Sequence, residues 1–164
     1  MALQSETRFG IVPRELAATM TGVEFLEKLR DGTLPAPPFA EATDIWITEI
    51  ERGRVVFDAK PSPRFYNPMG MVHGGWSATV LDSAMGCAVH SILQAGQAYT
   101  TVDMSVTFVR PVLAKTGVLR CEGKLIHAGN RIATAEGRLW DRAGTLIAHG
   151  SETCLVIGPA GPNS

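Results

Sequence analysis

Between Val72 and Leu93 the chain runs through Ala, Val, Leu, Met, Trp and Cys with small residues between them, and strict alternation is missing. The stretch is long enough for a helix of about five turns, and its apolar residues fall on most sides of that helix. A helix hydrophobic nearly all round has to be buried. The rest of the chain must therefore build a layer that wraps it.

The flanking segments supply strands. Ala42 to Ile50 carries Ile45, Trp46, Ile47 and Ile50; residues 51–54 make a polar turn, and Val55-Val56-Phe57 starts a second strand that ends before Pro61. These two read as a hairpin. Residues 61–71 hold Pro61, Pro63 and Pro68 and predict a loop without regular structure. After the helix, Tyr99–Val109 sets Val102, Met104, Val106 and Phe108 against Asp103, Ser105 and Thr107, the alternation of a half-buried strand. Val118–Ile126, Ile132–Trp140 and Leu146–Ile157 follow, divided by Ala128-Gly129-Asn130 and Asp141-Arg142-Ala143-Gly144, both of turn composition. Two strands, a long helix and four consecutive strands make an α+β chain with an antiparallel meander, not a βαβ series.

Upstream, residues 1–12 read as a loose arm. Thr21-Gly22-Val23-Glu24 has the spacing of a capping box, Val23, Phe25, Leu26 and Leu29 give one apolar side, and Gly32 stops the helix. Leu34-Pro35-Ala36-Pro37-Pro38 is an extended linker, because each proline disfavours helix at the residue before it. The expected division is an N-terminal arm, short helix and Pro-rich linker over 1–39, one domain over 40–157, and a frayed tail over 158–164.

Composition narrows the function classes. With 164 residues the chain is sized for one domain. Its 15 Lys plus Arg balance 16 Asp plus Glu, and no basic tract marks a nucleic-acid partner. Cys87, Cys121 and Cys154 are odd in number and without a CxxC pair, so neither a disulfide framework nor a zinc site is expected, and the chain reads as cytoplasmic. The start carries no signal-peptide pattern, and no apolar run reaches membrane-span length. No GxSxG, Rossmann or P-loop motif is present.

Asp82 is the only Asp, Glu, Lys or Arg between Phe65 and Val102. At helical spacing it shares a face with Gly75, Ala78, Thr79 and Gly86. A carboxylate there needs a partner. Either the small face packs on a sheet or a second helix, with Asp82 bonded to an amide or hydroxyl, or Asp82 is a general base or nucleophile facing a cleft. His73-Gly74-Gly75 opens the helix and leaves backbone amides unpaired, suited either to a tight turn or to a carbonyl oxygen gaining charge. Gly74 and Asp82 lie eight residues apart, about 12 Å along a helix. One chain cannot bring both to one carbonyl, which argues for a site shared across a symmetric homodimer. Asn67 and His73 are further polar groups near that helix start.

The run Asn67-Pro68-Met69-Gly70-Met71-Val72-His73-Gly74-Gly75, then Asp82, Gly86 and Val102-Asp103-Met104-Ser105-Val106-Thr107-Phe108, resembles the hotdog-fold acyl-CoA thioesterases of the phenylacetate-pathway type. The likeness covers roughly residues 40–157. It implies a curved antiparallel sheet, here of about six strands, around a central helix, with sites at the interface of a homodimer or of a dimer of dimers. It assigns Asp82 to activate water or attack the thioester, and the Gly74 amide of the other subunit to polarise the carbonyl. Asn67 and His73 would hold the thioester or the water, and a hydroxyl just before Val102 would orient the water. Thr100 and Thr101 compete for that last role, and Thr101 matches better.

The implied reaction is hydrolysis of an acyl-CoA to acid and free CoA, needing no metal or organic cofactor. Gly75, Met71 and Thr100 are candidate substrate contacts, with Trp76, Met69, Phe65 and Tyr66 as apolar candidates for a pocket. Arg110 and Arg131 are candidates for the CoA phosphates. Two alternatives stay open: a hotdog protein that binds acyl-CoA without cleaving it, and a dehydratase acting on a hydroxyacyl thioester.

Overall fold

The structure, a computed structural model, describes residues 8–158. Its helices are α1 (Arg14–Ala17), α2 (Gly22–Arg30), α3 (Pro38–Thr43) and α4 (Gly74–His90). Its strands are β1 (Ile45–Glu51), β2 (Arg54–Ala59), β3 (Ala98–Phe108), β4 (Leu119–Ala128), β5 (Ile132–Trp140) and β6 (Leu146–Ile157). All six strands form one antiparallel sheet in the order β1-β2-β4-β5-β6-β3. The helix α4 packs on its inner face against β2, β3, β4, β5 and β6. This is the architecture that the resemblance implies.

The core is where the apolar helix meets the sheet. Val80, Leu81, Ala84, Met85 and Val89 of α4 are fully buried, as are Leu119 and Cys121 of β4 and Leu139 of β5. Each large aliphatic side chain so buried contributes about 1.5–3 kcal/mol. Ala133 and Ala135, also fully buried on β5, keep the inner face shallow enough for the helix to lie on it. Among the described residues no helix is long and apolar enough to cross a membrane.

Four details depart from the sequence reading. Ala42 and Thr43 belong to the short helix α3, so β1 starts at Ile45. Pro38 occupies a first-turn position, where its missing N–H costs nothing, and Asp44 ends the helix in the left-handed region at φ 56. Loop 61–71 contains a 3-10 turn over Pro63–Phe65 and a bridge between Tyr66 and Val72. The arm is tied down from Arg8 onward: Gly10 N–H donates to the Ala36 carbonyl at 3.0 Å, and Ala36 N–H to that of Arg8 at 2.8 Å. The rest of the arm, residues 1–7, lies outside the described residues, as does the tail beyond Gly158.

The fourth departure is a bulge in β3. Its pairing with β6 slips between Thr101 and Asp103. An extra residue shifts side-chain parity along a strand. Val102 is 55% exposed instead of sharing the buried face with Met104 and Val106. Tyr99 packs on the core before the slip, and Met104 and Val106 pack on it after.

Candidate active site

Asp82, midway along α4, lines a cavity of about 750 Å³ with Ser83 and Cys87 of the same helix and Tyr99 of β3. The opposite wall comes from the first third of the chain, including Leu29, Leu34, Phe39, Ile45 and Trp46. Arg8, Arg30 and Asp31 are its other charged lining residues, and Arg30 Nε pairs with Asp31 Oδ1 at 2.9 Å. The segment before the hairpin thus roofs the space above the carboxylate.

Local sequence chemistry puts this roof in place. Thr21 and Glu24 form the expected capping box at the start of α2, with Glu24 Oε2 accepting from Thr21 N–H at 2.8 Å. Gly22 N–H donates to the Leu93 carbonyl at 3.0 Å, pinning α2 to the end of α4. The approach is so close that a Cβ on Gly22 would collide with the His90 carbonyl oxygen. On the small-residue face of α4, Gly86 gives way to the Tyr99 hydroxyl in the same manner.

The β3 bulge delivers Thr101 to the same place. Its Oγ1 lies 2.8 Å from Glu152 Oε1 and 3.4 Å from Asp82 Oδ1, within hydrogen-bond reach of both. Thr100, one residue earlier, makes neither contact. Glu152 is only 2% exposed. Cys154 Sγ donates to its Oε1 at 2.9 Å, and its Oε2 is buried without a hydrogen-bond partner among the described residues.

These carboxyls lie in a poorly solvated setting. Burial raises the Asp82 pKa above the ordinary carboxylate value, and the Thr101 bond only partly offsets this. Burial also raises that of Glu152; its bonds to Cys154 and Thr101 pull the other way, and the Asp82 charge adds to the rise. Neither carboxylate has an ion-pair partner among the described residues. Burial pushes the Cys87 thiol up to about 12, and the Tyr99 phenol is raised as well, so both stay neutral. His90, packed against Phe25 and Tyr99, is pushed down to about 4 by burial and is a neutral core ring.

The start of α4 forms a second polar cluster, away from the cavity. His73 caps the helix, its Nδ1 accepting from Gly75 N–H at 2.9 Å. That acceptor role leaves the proton of a neutral ring on Nε2. Asn67 Oδ1 accepts from Met69 and Met71 N–H at 3.0 and 3.2 Å, holding the loop that leads into the helix. The Gly74 N–H has no acceptor among the described residues, and the Phe108 ring lies over this glycine. His73 and Gly74 thus stand at the helix start, with Asn67 in the loop that leads into it, and Asp82 and Thr101 are brought together, but in one chain Gly74 and Asp82 stay apart by about two turns of helix.

The other candidates fall elsewhere. Gly75 and Met71 belong to the helix-start cluster, and neither lines the cavity. Trp76 stacks on Phe65 at 5.5 Å and donates Nε1–H to the Thr43 carbonyl. The Tyr66 hydroxyl accepts from Ala114 N–H, and Met69 is exposed. None of these four lines the cavity. Arg110 gives Nη1–H to the Leu146 carbonyl at 2.8 Å, and Arg131 stands exposed in the turn between β4 and β5. Among the described residues no cluster of His, Cys, Asp and Glu is arranged to hold a metal ion.

Sequence reasoning missed Glu152 and Cys154. A signal existed: both share the parity of Ala148 on β6, so an acid stood on a face otherwise made for the core.

Comparisons with known proteins bear on this geometry. The thioesterase superfamily matches residues 69–148. The human acyl-coenzyme A thioesterase 13 is 30% identical over 111 residues, 66% of this chain and 77% of that protein. An esterase candidate of Halobacterium salinarum is 33% identical over 91 residues, 54% of this chain and 58% of its own length, so the chain spans less than two thirds of that relative. Among solved structures, a phenylacetic acid degradation-related protein of Ralstonia eutropha superposes with a TM-score of 0.73 at 27% identity, covering 80% of this chain and 98% of that one.

Proposed function

The chain belongs to the thioesterase superfamily, and from that premise we propose that it hydrolyses an acyl-CoA thioester to the free acid and CoA at Asp82. The observation that carries this is a half-buried carboxylate without an ion-pair partner among the described residues, beside a hydroxyl, on the wall of a mostly apolar cavity. Burial makes Asp82 more basic than an exposed carboxylate, as a proton acceptor requires. Asp82 takes a proton from water as the water oxygen bonds to the thioester carbon, or attacks that carbon itself to give a mixed anhydride that water then cleaves to the acid and free Asp82; in both routes the C–S bond breaks and CoA leaves as thiolate. The Thr101 hydroxyl orients the water.

The oxyanion needs a donor that this chain's own helix start cannot bring to its own Asp82. The Gly74 amide of a second copy fills that role, with Asn67 and His73 beside it. Two features support a homodimer. The Gly74 N–H has no acceptor among the described residues, and β3 is an edge strand carrying exposed Val102 and Phe108, with exposed Val109 just past its end, an edge suited to pairing with its own copy. Arg131 and the remaining N–H groups of Arg110 serve the CoA phosphates. The cavity wall of Leu29, Leu34, Phe39 and Trp46 suits an apolar acyl group much larger than acetyl.

The test is thiol release from acetyl-, medium-chain, benzoyl- and phenylacetyl-CoA by wild type and Asp82→Asn, with a β-hydroxyacyl-CoA assayed for dehydration. We expect turnover of the larger apolar thioesters and a loss of at least about 100-fold in the variant. Tight binding without turnover would instead favour a ligand-binding role, and turnover surviving Asp82→Asn would remove Asp82 from the mechanism.

A further inference from the structure

The mechanism above uses one carboxylate, yet the site holds two. Glu152 sits behind Thr101, shielded from solvent, and among the described residues it touches no cation. The groups around it are Asp82 and Cys87 from α4, Tyr99 and Thr101 from β3, Cys154 from its own strand, and Ala135 opposite it on β5. Every titratable member of that set is neutral or negative. An ionised Glu152 would bury a charge beside a second carboxylate, with one oxygen lacking any donor among the described residues. A neutral carboxylic acid removes that conflict.

Proton direction follows from the geometry. Thr101 has one hydroxyl proton and two carboxyl acceptors, at 2.8 and 3.4 Å. If Glu152 is ionised, the nearer acceptor captures that proton and Asp82 loses its partner. If Glu152 carries a proton on Oε1, it donates to Thr101 Oγ1, and Thr101 is free to donate to Asp82. We infer that Glu152 is a positioning residue whose buried carboxyl group donates to Thr101 and so turns the Thr101 proton onto Asp82. This rests on the hydrolase reading of the site. Glu152 itself touches neither the cavity nor the reacting atoms; it sets which oxygen of Asp82 stays free for the water proton. Cys154, donating to the same Oε1, holds the Glu152 carboxyl in its plane.

The experiment compares kcat, KM and their pH dependence for wild type, Glu152→Gln and Glu152→Met on the best acyl-CoA. The glutamine carboxamide can donate to Thr101 at every pH, so kcat should stay within about threefold of wild type near neutrality. The wild type should slow at alkaline pH as Glu152 ionises and recaptures the Thr101 proton, and Glu152→Gln should lose that decline. Methionine cannot donate, and kcat should fall about tenfold at unchanged KM. A glutamine variant as slow as the methionine variant, or a methionine variant at wild-type kcat, overturns the proposal. The ¹³C shift of the Glu152 carboxyl, assigned in uniformly labelled wild type, tests the same point without a substitution. A neutral-acid shift at neutral pH supports the proposal, and a carboxylate shift overturns it. That readout needs no turnover: absence of hydrolysis on every acyl-CoA would defeat the hydrolase reading, while the shift would still decide the state of Glu152.

Discussion

At the residue scale, the charge on Asp82 has opposite effects on catalysis and on stability. Its folded pKa is raised, so the native state holds the proton more tightly than the unfolded chain does. Stability is therefore greatest below the ordinary carboxylate value and falls as pH rises through the window up to the raised value. Asp82→Asn removes that penalty. Its melting temperature should exceed that of wild type at neutral pH, with the gap closing under acid conditions; scanning calorimetry across pH measures this, and a gap that does not narrow would mean the Thr101 bond outweighs burial. Hydrolysis should show the reverse trend, rising with pH through the same window as the base ionises. Gly74 offers a separate test. Gly74→Pro deletes the amide N–H where the preceding His73, at φ -60 and ψ 135, tolerates a following proline. It should lower kcat by about 10²–10³, the effect of losing one oxyanion donor. Gly74→Ala keeps the N–H and presses only on the Phe108 ring, 3.3 Å from the added carbon, so it should retain most of the rate.

At the element scale, helix α2 anchors the roof to the end of α4. Its capping box was legible as Thr21 and Glu24, because a cap depends on a few adjacent residues. Its docking was not, because the need for glycine at position 22 arises from the His90 carbonyl, remote in sequence. Gly22→Ala should destabilise the fold by at least about 2 kcal/mol through overpacking. A urea titration measures that loss. In the fraction that remains folded, the displaced roof should flatten the preference for large apolar acyl groups. Unchanged stability together with unchanged selectivity would show that α2 does not shape the cavity. The β3 bulge shows the same limit. Alternation predicts one buried face from Val102 to Phe108, whereas the slip against β6 exposes Val102 and leaves the Thr101 hydroxyl against Asp82 and Glu152.

At the scale of the whole molecule, the two halves of the proposed site lie at separate points of one chain, and a second copy would reunite them. Mixing Asp82→Asn with Gly74→Pro after separate purification tests this directly. Each variant alone should be nearly inactive. After random subunit exchange half of the dimers are mixed, and each mixed dimer regains one intact site of two, so activity should recover to about a quarter of wild type. No recovery, with exchange verified by mass spectrometry of labelled subunits, would place both groups' functions within one chain or remove Gly74 from the mechanism.

The sequence by itself determined the apolar central helix, the six strands, the α2 cap and the isolation of Asp82 in an otherwise uncharged stretch of that helix. Each is written in local pattern: hydrophobic period, turn composition, and the isolation of one acid in a neutral stretch. The tertiary structure decided what those patterns face. It brought the Thr101 hydroxyl to Asp82 beside a bulge set by pairing with β6, and it put Glu152 behind that hydroxyl from a strand some fifty residues away. It also placed the first third of the chain over Asp82, while Trp76, Phe65 and Tyr66 went to support the fold. Such pairings depend on strand register and on helix docking, which arise from packing the whole core at once and leave no signature in neighbouring residues.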